Sequence, residues 1–189
     1  AKLTLPEQGP PGFTQLAPPA LGLQFTNTVS RAALARRSNL TNGSGVALGD
    51  ANGDGLCDIY FCRLEGDNEL YLNQGGWRFQ LVPNANGAAA TGHLTRGAAF
   101  ADVNGDGRAD IVGFGRDGVY VAYGQSDGTF GAWEQALEAF GSSDSAGGWS
   151  SNDRFPRIVA DVDGDGHADL IGFGADGTFV SLSNDIGVF

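Results

Sequence analysis

Residues 101–130 read ADVNGDGRADIVGFGRDGVYVAYGQSDGTF, and residues 160–189 read ADVDGDGHADLIGFGADGTFVSLSNDIGVF. The two stretches align without a gap at an offset of 59. A more distant copy, GDANGDGLCDIYFCRLEGDNELYLNQGGWRF, occupies residues 49–79, its acidic loop 52 residues before the second. Each copy parses alike. A short apolar run (GVALG, GAAFA, RIVA) precedes an acidic loop, and a second run (DIYFC, DIVGF, DLIGF) follows it. After a polar Gly turn comes a third run (ELYLN, GVYVAY, TFVSLS). In the first two copies a fourth segment follows, at 78–82 and 129–140. Runs of about five residues between Gly/Asp turns predict a meander of antiparallel hairpins. Four strands per copy at a period of about 50–60 residues predict propeller blades.

The expected fold is therefore all-β: four-stranded antiparallel blades, about three of them. Blades are expected at about 40–90, 91–145 and 146–189 within a domain spanning 23–189. Three blades fall short of the four or more in a closed propeller, and the third copy stops before its fourth strand. Two readings are open. The run LQFTNTV at 23–29, which alternates as a strand does, completes the last sheet. Alternatively, the chain is part of a larger propeller or closes against a second copy, since an unpaired edge strand is normally covered. Residues 1–22, with Pro6, Pro10, Pro11, Pro18 and Pro19, read as an extended leader or linker. Residues 30–37, SRAALARR, predict a short helix capped by Ser30, with its arginines on a solvated face.

The three acidic loops carry the chemistry. They are DANGDGLCD at 50–58, DVNGDGRAD at 102–110 and DVDGDGHAD at 161–169. Oxygen-bearing side chains stand at positions 1, 3, 5 and 9. These are Asp50, Asn52, Asp54 and Asp58; Asp102, Asn104, Asp106 and Asp110; and Asp161, Asp163, Asp165 and Asp169. Position 7 (Leu56, Arg108, His167) can add a backbone carbonyl, its side chain directed away from the ion. Hard oxygens at this spacing suit calcium, which takes six to eight of them in a flexible shell, better than magnesium, which keeps its waters. About three calcium ions are expected. An EF-hand would need Glu at position 12, where Phe61, Gly113 and Gly172 stand instead.

The acidic loop followed by D-[IL]-[VIY]-G-F-G resembles the FG-GAP/VCBS calcium-binding repeat of integrin α-subunit propellers and many secreted microbial proteins. The first copy, GSGVALGDANGDGLCDIYF…ELYLNQGGWRF, is similar to the ASPIC/UnbV-type variant. The later copies resemble propeller lectins of the Psathyrella velutina type. There the shared string is Phe140-Gly141, AGGW at 146–149 and PRIVADVDGDGHADLIGFG at 156–174. The resemblance implies a secreted, extracellular or periplasmic protein whose calcium ions are structural. It also implies sugar pockets between adjacent blades. The chain departs from the lectin pattern at Phe155, which stands where those lectins often have His before the Pro-Arg pair.

The formal net charge of −11 argues against a nucleic-acid partner, and three bound divalent ions would cancel more than half of it. No run of apolar residues is long enough to span a membrane. No signal peptide is visible, and the chain begins Ala1-Lys2, which reads as a mature or trimmed chain. Cys57 and Cys62 lie five apart in one predicted strand, on opposite faces and too far apart to bridge. Asn39 and Asn42 head glycosylation patterns. No nucleophile elbow, phosphate-binding Gly loop or carboxylate pair outside the loops is present. The histidines, His93 and His167, read as structural. The chain is therefore expected to be a non-enzymatic binding module for carbohydrate. The alternatives are an integrin-like scaffold that binds an extracellular protein and the non-catalytic propeller of a polysaccharide-active enzyme. Trp149, in a Gly/Ser loop, is the candidate for stacking on a sugar; Trp77 and Trp133 read as packing residues.

Overall fold

In each copy the residue before the acidic loop faces the loop's last aspartate across an antiparallel pair: Gly49 with Asp58, Ala101 with Asp110, Ala160 with Asp169. The loop is thus a long hairpin connection closed at one register three times. The computed structural model describes residues 16–36, 44–91 and 97–189. The first sheet runs in chain order: β1 (Val46–Gly49), β2 (Asp58–Phe61), β3 (Glu69–Asn73) and β4 (Phe79–Val82). The second repeats it with β5 (Gly97–Ala101), β6 (Asp110–Phe114), β7 (Val119–Ala122) and β8 (Glu134–Leu137). The third holds β9 (Arg157–Ala160), β10 (Asp169–Gly174) and β11 (Gly177–Ser181). These are propeller-like blades: all-β meanders stacked face to face.

Alternation along each strand turns successive apolar side chains to opposite faces, so that neighbouring sheets pack through them. Between the first and second sheets, Ala47, Tyr60, Leu70, Ile111, Ala122 and Phe130 form one buried cluster. Between the second and third, Val103, Val112, Phe114, Val121, Phe140 and Leu170 form another. Close approach is built on glycine. A Cβ on Gly172 would lie 2.2 Å from Phe140 and 2.6 Å from Trp149. Gly172→Ala should therefore lower stability by about 1–3 kcal/mol, read as a shifted urea midpoint at unchanged slope. An unshifted midpoint would contradict this packing.

The run 23–29 is not a strand. Phe25 stacks on Phe61 at 4.4 Å, and the Arg63 guanidinium lies over the Phe25 ring at 5.2 Å. The Asn27 side chain accepts the Leu64 N–H (3.2 Å) and donates to Ser44 Oγ (2.5 Å). These contacts hold the segment on the first sheet, so it does not complete the third. Among the described residues the outer edge of β11 carries no further strand.

Helix α1 spans Arg31–Arg36, and Ser30 Oγ accepts the Ala33 N–H (3.1 Å), as the capping pattern predicts. Glu65 grips the same serine through its N–H and hydroxyl. Of the leader, only residues 16–22 are described, and Pro18–Leu21 form a 3-10 turn. Cys62 is buried, Cys57 is exposed, and neither is in a disulfide. Trp77 does not pack in the core: it sits exposed in the β3–β4 turn with positive φ, while Trp133 packs between the first two sheets. His93, Arg37, Asn39 and Asn42 lie outside the described residues.

Candidate functional site

The acidic loops fold around their first aspartate. Asp50 accepts N–H groups from Gly53 (2.8 Å), Asp54 (3.1 Å) and Gly55 (2.8 Å). Asp102 accepts those of Asp106 and Gly107, and Asp161 those of Gly164 and Gly166. Positions 3 and 5 each accept an N–H from two residues ahead: Asn52 from Asp54, Asp54 from Leu56, Asn104 from Asp106, Asp163 from Asp165. Such turns need backbone that bends with φ above zero. Gly53 and Gly55 supply it in the first loop, at 78° and 82°, with open space where a Cβ would stand. Partial burial alone would raise the Asp50 carboxyl, but these N–H donors hold it below the usual carboxylate range.

Position 9 differs. Asp58, Asp110 and Asp169 are fully buried at the start of β2, β6 and β10. In each, Oδ2 accepts the N–H of position 2 at 2.9 Å: Ala51, Val103 and Val162. In each, Oδ1 accepts an N–H at or just past the end of the third strand: Asn73 (2.7 Å), Gly124 (2.8 Å) and Ser183 (2.9 Å). One carboxylate thus ties the loop to two strands. Burial pushes Asp58 up and Asp110 up to about 6, the N–H donors opposing the shift and the neighbouring loop aspartates adding to it.

The donor set is all oxygen. In the third loop, carboxylate oxygens of Asp161, Asp163 and Asp169 lie within 4.8 Å of one another, a spacing that fits one hard cation. Each carboxylate keeps lone pairs beyond those its N–H donors use. At position 7 two side chains fold back on position 5: Arg108 pairs with Asp106, and His167 Nδ1 lies 3.2 Å from Asp165. The pairing raises His167, and the His167 backbone N–H, aided by the imidazole, lowers Asp165. His167 also packs against Gly105 of the second loop, and the Ala168 N–H donates to the Asp102 carbonyl (2.8 Å). Neighbouring loops are thereby joined.

A cleft of about 570 Å³ opens between the second and third sheets, lined by Glu138, Phe140, Trp149, Phe155, Asp176 and Phe179 among others. Trp149 belongs to this cleft, but as a wall: it is 9% exposed and packs on Phe140 (4.8 Å), Phe155 (5.7 Å) and Phe179 (6.0 Å). The open aromatic face is that of Phe179. Sequence reading missed Phe179 and Asp176, although both lie in the aligned third copy, because only the packing of two sheets brings them beside Trp149. The Arg157 of the Pro-Arg pair is buried, 4.7 Å over the Phe114 ring and donating to the Phe140 carbonyl (2.7 Å).

Comparisons with known proteins agree with this geometry. The FG-GAP-like repeat family matches residues 50–113 and 102–172, together more than half of the chain. Cartilage acidic protein 1 of Mus musculus is 34% identical over 106 residues, covering 55% of this chain and 16% of that protein. The Xenopus tropicalis protein of the same name is 35% identical over 72 residues, covering 38% of this chain and 11% of that protein. The chain thus spans less than a fifth of these relatives. Among solved structures, an Agrocybe aegerita lectin that recognises non-reducing terminal N-acetylglucosamine superposes with a TM-score of 0.58 at 36% identity. That match covers 75% of this chain and 36% of the lectin chain. Among the described residues no helix is long and apolar enough to cross a membrane.

Proposed function

The chain belongs to the FG-GAP-like repeat family, and on that premise we propose that it is a secreted, non-enzymatic, calcium-stabilised module that binds carbohydrate in the cleft between its second and third sheets. The cleft carries the reading. It pairs the flat apolar ring of Phe179 with the carboxylates of Glu138 and Asp176 on the rim. A sugar ring has the complementary chemistry, an apolar C–H face edged by hydroxyls. The similarity to a lectin specific for terminal N-acetylglucosamine supports that sugar as the first ligand to test.

Calcium would be held by positions 1, 3 and 5 with the carbonyl of position 7 and the position 9 carboxylate. Its role would be to neutralise the crowded carboxylates and fix the loop. The side chains of this protein do the rest: the position 9 aspartates anchor loop to strand, and the inter-sheet packing shapes the cleft. No catalytic group is assigned.

Trp149 is a poor probe of binding because its removal would also hollow the wall between the sheets. Asp176→Ala and Phe179→Ala alter exposed residues instead. With calcium present, a glycan array should show binding to terminal N-acetylglucosamine, and each variant should weaken it about tenfold or more, Asp176→Ala at an unchanged melting temperature and Phe179→Ala at a slightly lowered one because its ring also packs on Trp149. Binding to no glycan, or variants that bind as well as the parent chain, would remove the carbohydrate reading.

A further inference from the structure

The second and third acidic loops touch each other, and the first and second do not. Ala168 stands between positions 7 and 9 of the third loop. Its N–H donates to the carbonyl of Asp102, the first residue of the second loop, at 2.8 Å. Beside it the His167 ring packs on Gly105, where a Cβ would lie 2.5 Å from Nε2. At the preceding junction the same positions are held by Ala109, Asp50, Arg108 and Gly53. No hydrogen bond joins Ala109 to Asp50, and a Cβ on Gly53 would meet nothing within 4 Å. Arg108 turns to its own sheet instead, donating to the Gly124 carbonyl (2.9 Å) and pairing with Asp106. A groove of about 200 Å³ runs between these two loops, with Asp50, Asn52 and Gly53 on one wall and Gly107, Arg108 and Ala109 on the other.

The contact between the second and third loops joins groups that each loop must order to hold a cation. Ala168 is flanked by the carbonyl of position 7 and the carboxylate of position 9. Asp102 is position 1, whose side chain gathers the N–H groups of Asp106 and Gly107. Fixing the backbone from 167 to 169 therefore fixes the main chain at 102, and ordering completed in one loop need not be repeated in the other. Charge works in the opposite direction, since a cation in one loop weakens the pull of the pair on a second cation. The third loop has four carboxylates, however, so one divalent ion leaves it negative, and salt screens what remains between exposed charges.

On the reading of the loops as calcium sites, we infer that calcium binds as a coupled pair at the second and third loops and independently of them at the first. Coupling of this kind is reciprocal: disabling either member of the pair weakens the other by the same factor, here about tenfold.

The test is a calcium titration of the isotope-labelled chain followed by amide NMR at about 0.5 M salt, where exposed charges are strongly screened. Position 6 supplies one reporter in each loop. The N–H groups of Gly55, Gly107 and Gly166 donate to Asp50, Asp102 and Asp161. Asp163→Ala with Asp165→Ala disables the third loop, and Asn104→Ala with Asp106→Ala disables the second. Unchanged signals from the strands would verify that each variant folds. Disabling the third loop should raise the calcium midpoint of Gly107 about tenfold and leave that of Gly55 in place. Disabling the second should raise the midpoint of Gly166 by the same factor, again with Gly55 unmoved. A Gly107 midpoint that stays put, or a Gly55 midpoint that moves as far, would overturn the coupling while leaving three calcium sites standing. Glycine signals that do not respond to calcium in the parent chain would overturn the calcium reading itself, and the coupling with it.

Discussion

Removing calcium should lower the melting temperature by about 15–30 °C. An ion at a hundred times its dissociation constant stabilises the folded state by about 2.7 kcal/mol, so three sites contribute about 8 kcal/mol. For a chain of this size each kcal/mol moves the midpoint by about 2–4 °C. Scanning calorimetry in calcium and in chelator reads the difference directly, and superimposable curves would exclude stabilising ions. The gap should also depend on pH with a definite sign. Burial raises Asp110 to about 6 and raises Asp58 as well, above the value near 4 of an unfolded aspartate. A raised carboxyl stabilises the fold fully below its unfolded value, and the contribution is lost as pH climbs through its folded value. Without an ion, then, the chain should lose about 3 kcal/mol at Asp110 alone between pH 4 and pH 7. A cation needs that carboxyl ionised, so the difference between calcium and chelator should widen over the same interval. A gap that narrows with rising pH would contradict the assignment of Asp110.

Replacing Asp110 should be the most damaging single change in the loops. Asp110→Ala leaves the buried N–H groups of Val103 and Gly124 without acceptors, at about 1–3 kcal/mol each. The expected loss is about 2–5 kcal/mol in chelator, and larger in calcium because a ligand is also gone. Asp110→Asn retains one acceptor oxygen and should fall between the two. Asp54→Ala is the control. It too removes a proposed ligand, but Asp54 is exposed and accepts solvent-exposed donors, the Leu56 N–H and the Asn52 side-chain amide, so its cost should be confined largely to calcium. Urea titrations of the three variants with and without calcium separate these terms. Equal stability of Asp110→Ala and the parent chain in chelator would show that position 9 is a ligand alone.

The two experiments probe different properties of one residue. Position 9 reads as a candidate ligand because Asp recurs there in register three times. Its second role was not legible, because the partners Asn73, Gly124 and Ser183 share no residue type. They donate backbone N–H groups, which every residue but proline carries, and only the return of the third strand brings them to the carboxylate. His167 and Arg108 illustrate a related limit. The spacing supplies a carbonyl at position 7, but where the side chain goes depends on the carboxylate beside it and on the neighbouring loop.

The segment 23–29 shows the limit for the fold. Its alternation suits a strand, yet a strand needs a partner edge, and Phe25 and Asn27 instead find Phe61, Leu64 and Ser44 on the first sheet. Trp149 shows it for the ligand site. An indole in a Gly/Ser loop reads as available, but Phe140, Phe155 and Phe179 close around it and leave Phe179 as the open ring.

The sequence by itself determined the three-fold repeat, the meander within each copy and the all-oxygen loops. Strand alternation, Gly turns and carboxylate spacing are local properties, set within a few residues of one another. Only the tertiary structure decided which aspartates are buried, which aromatic ring faces the cleft and which loops touch. Those outcomes depend on how one sheet lies against the next, and residues distant in the chain settle that together.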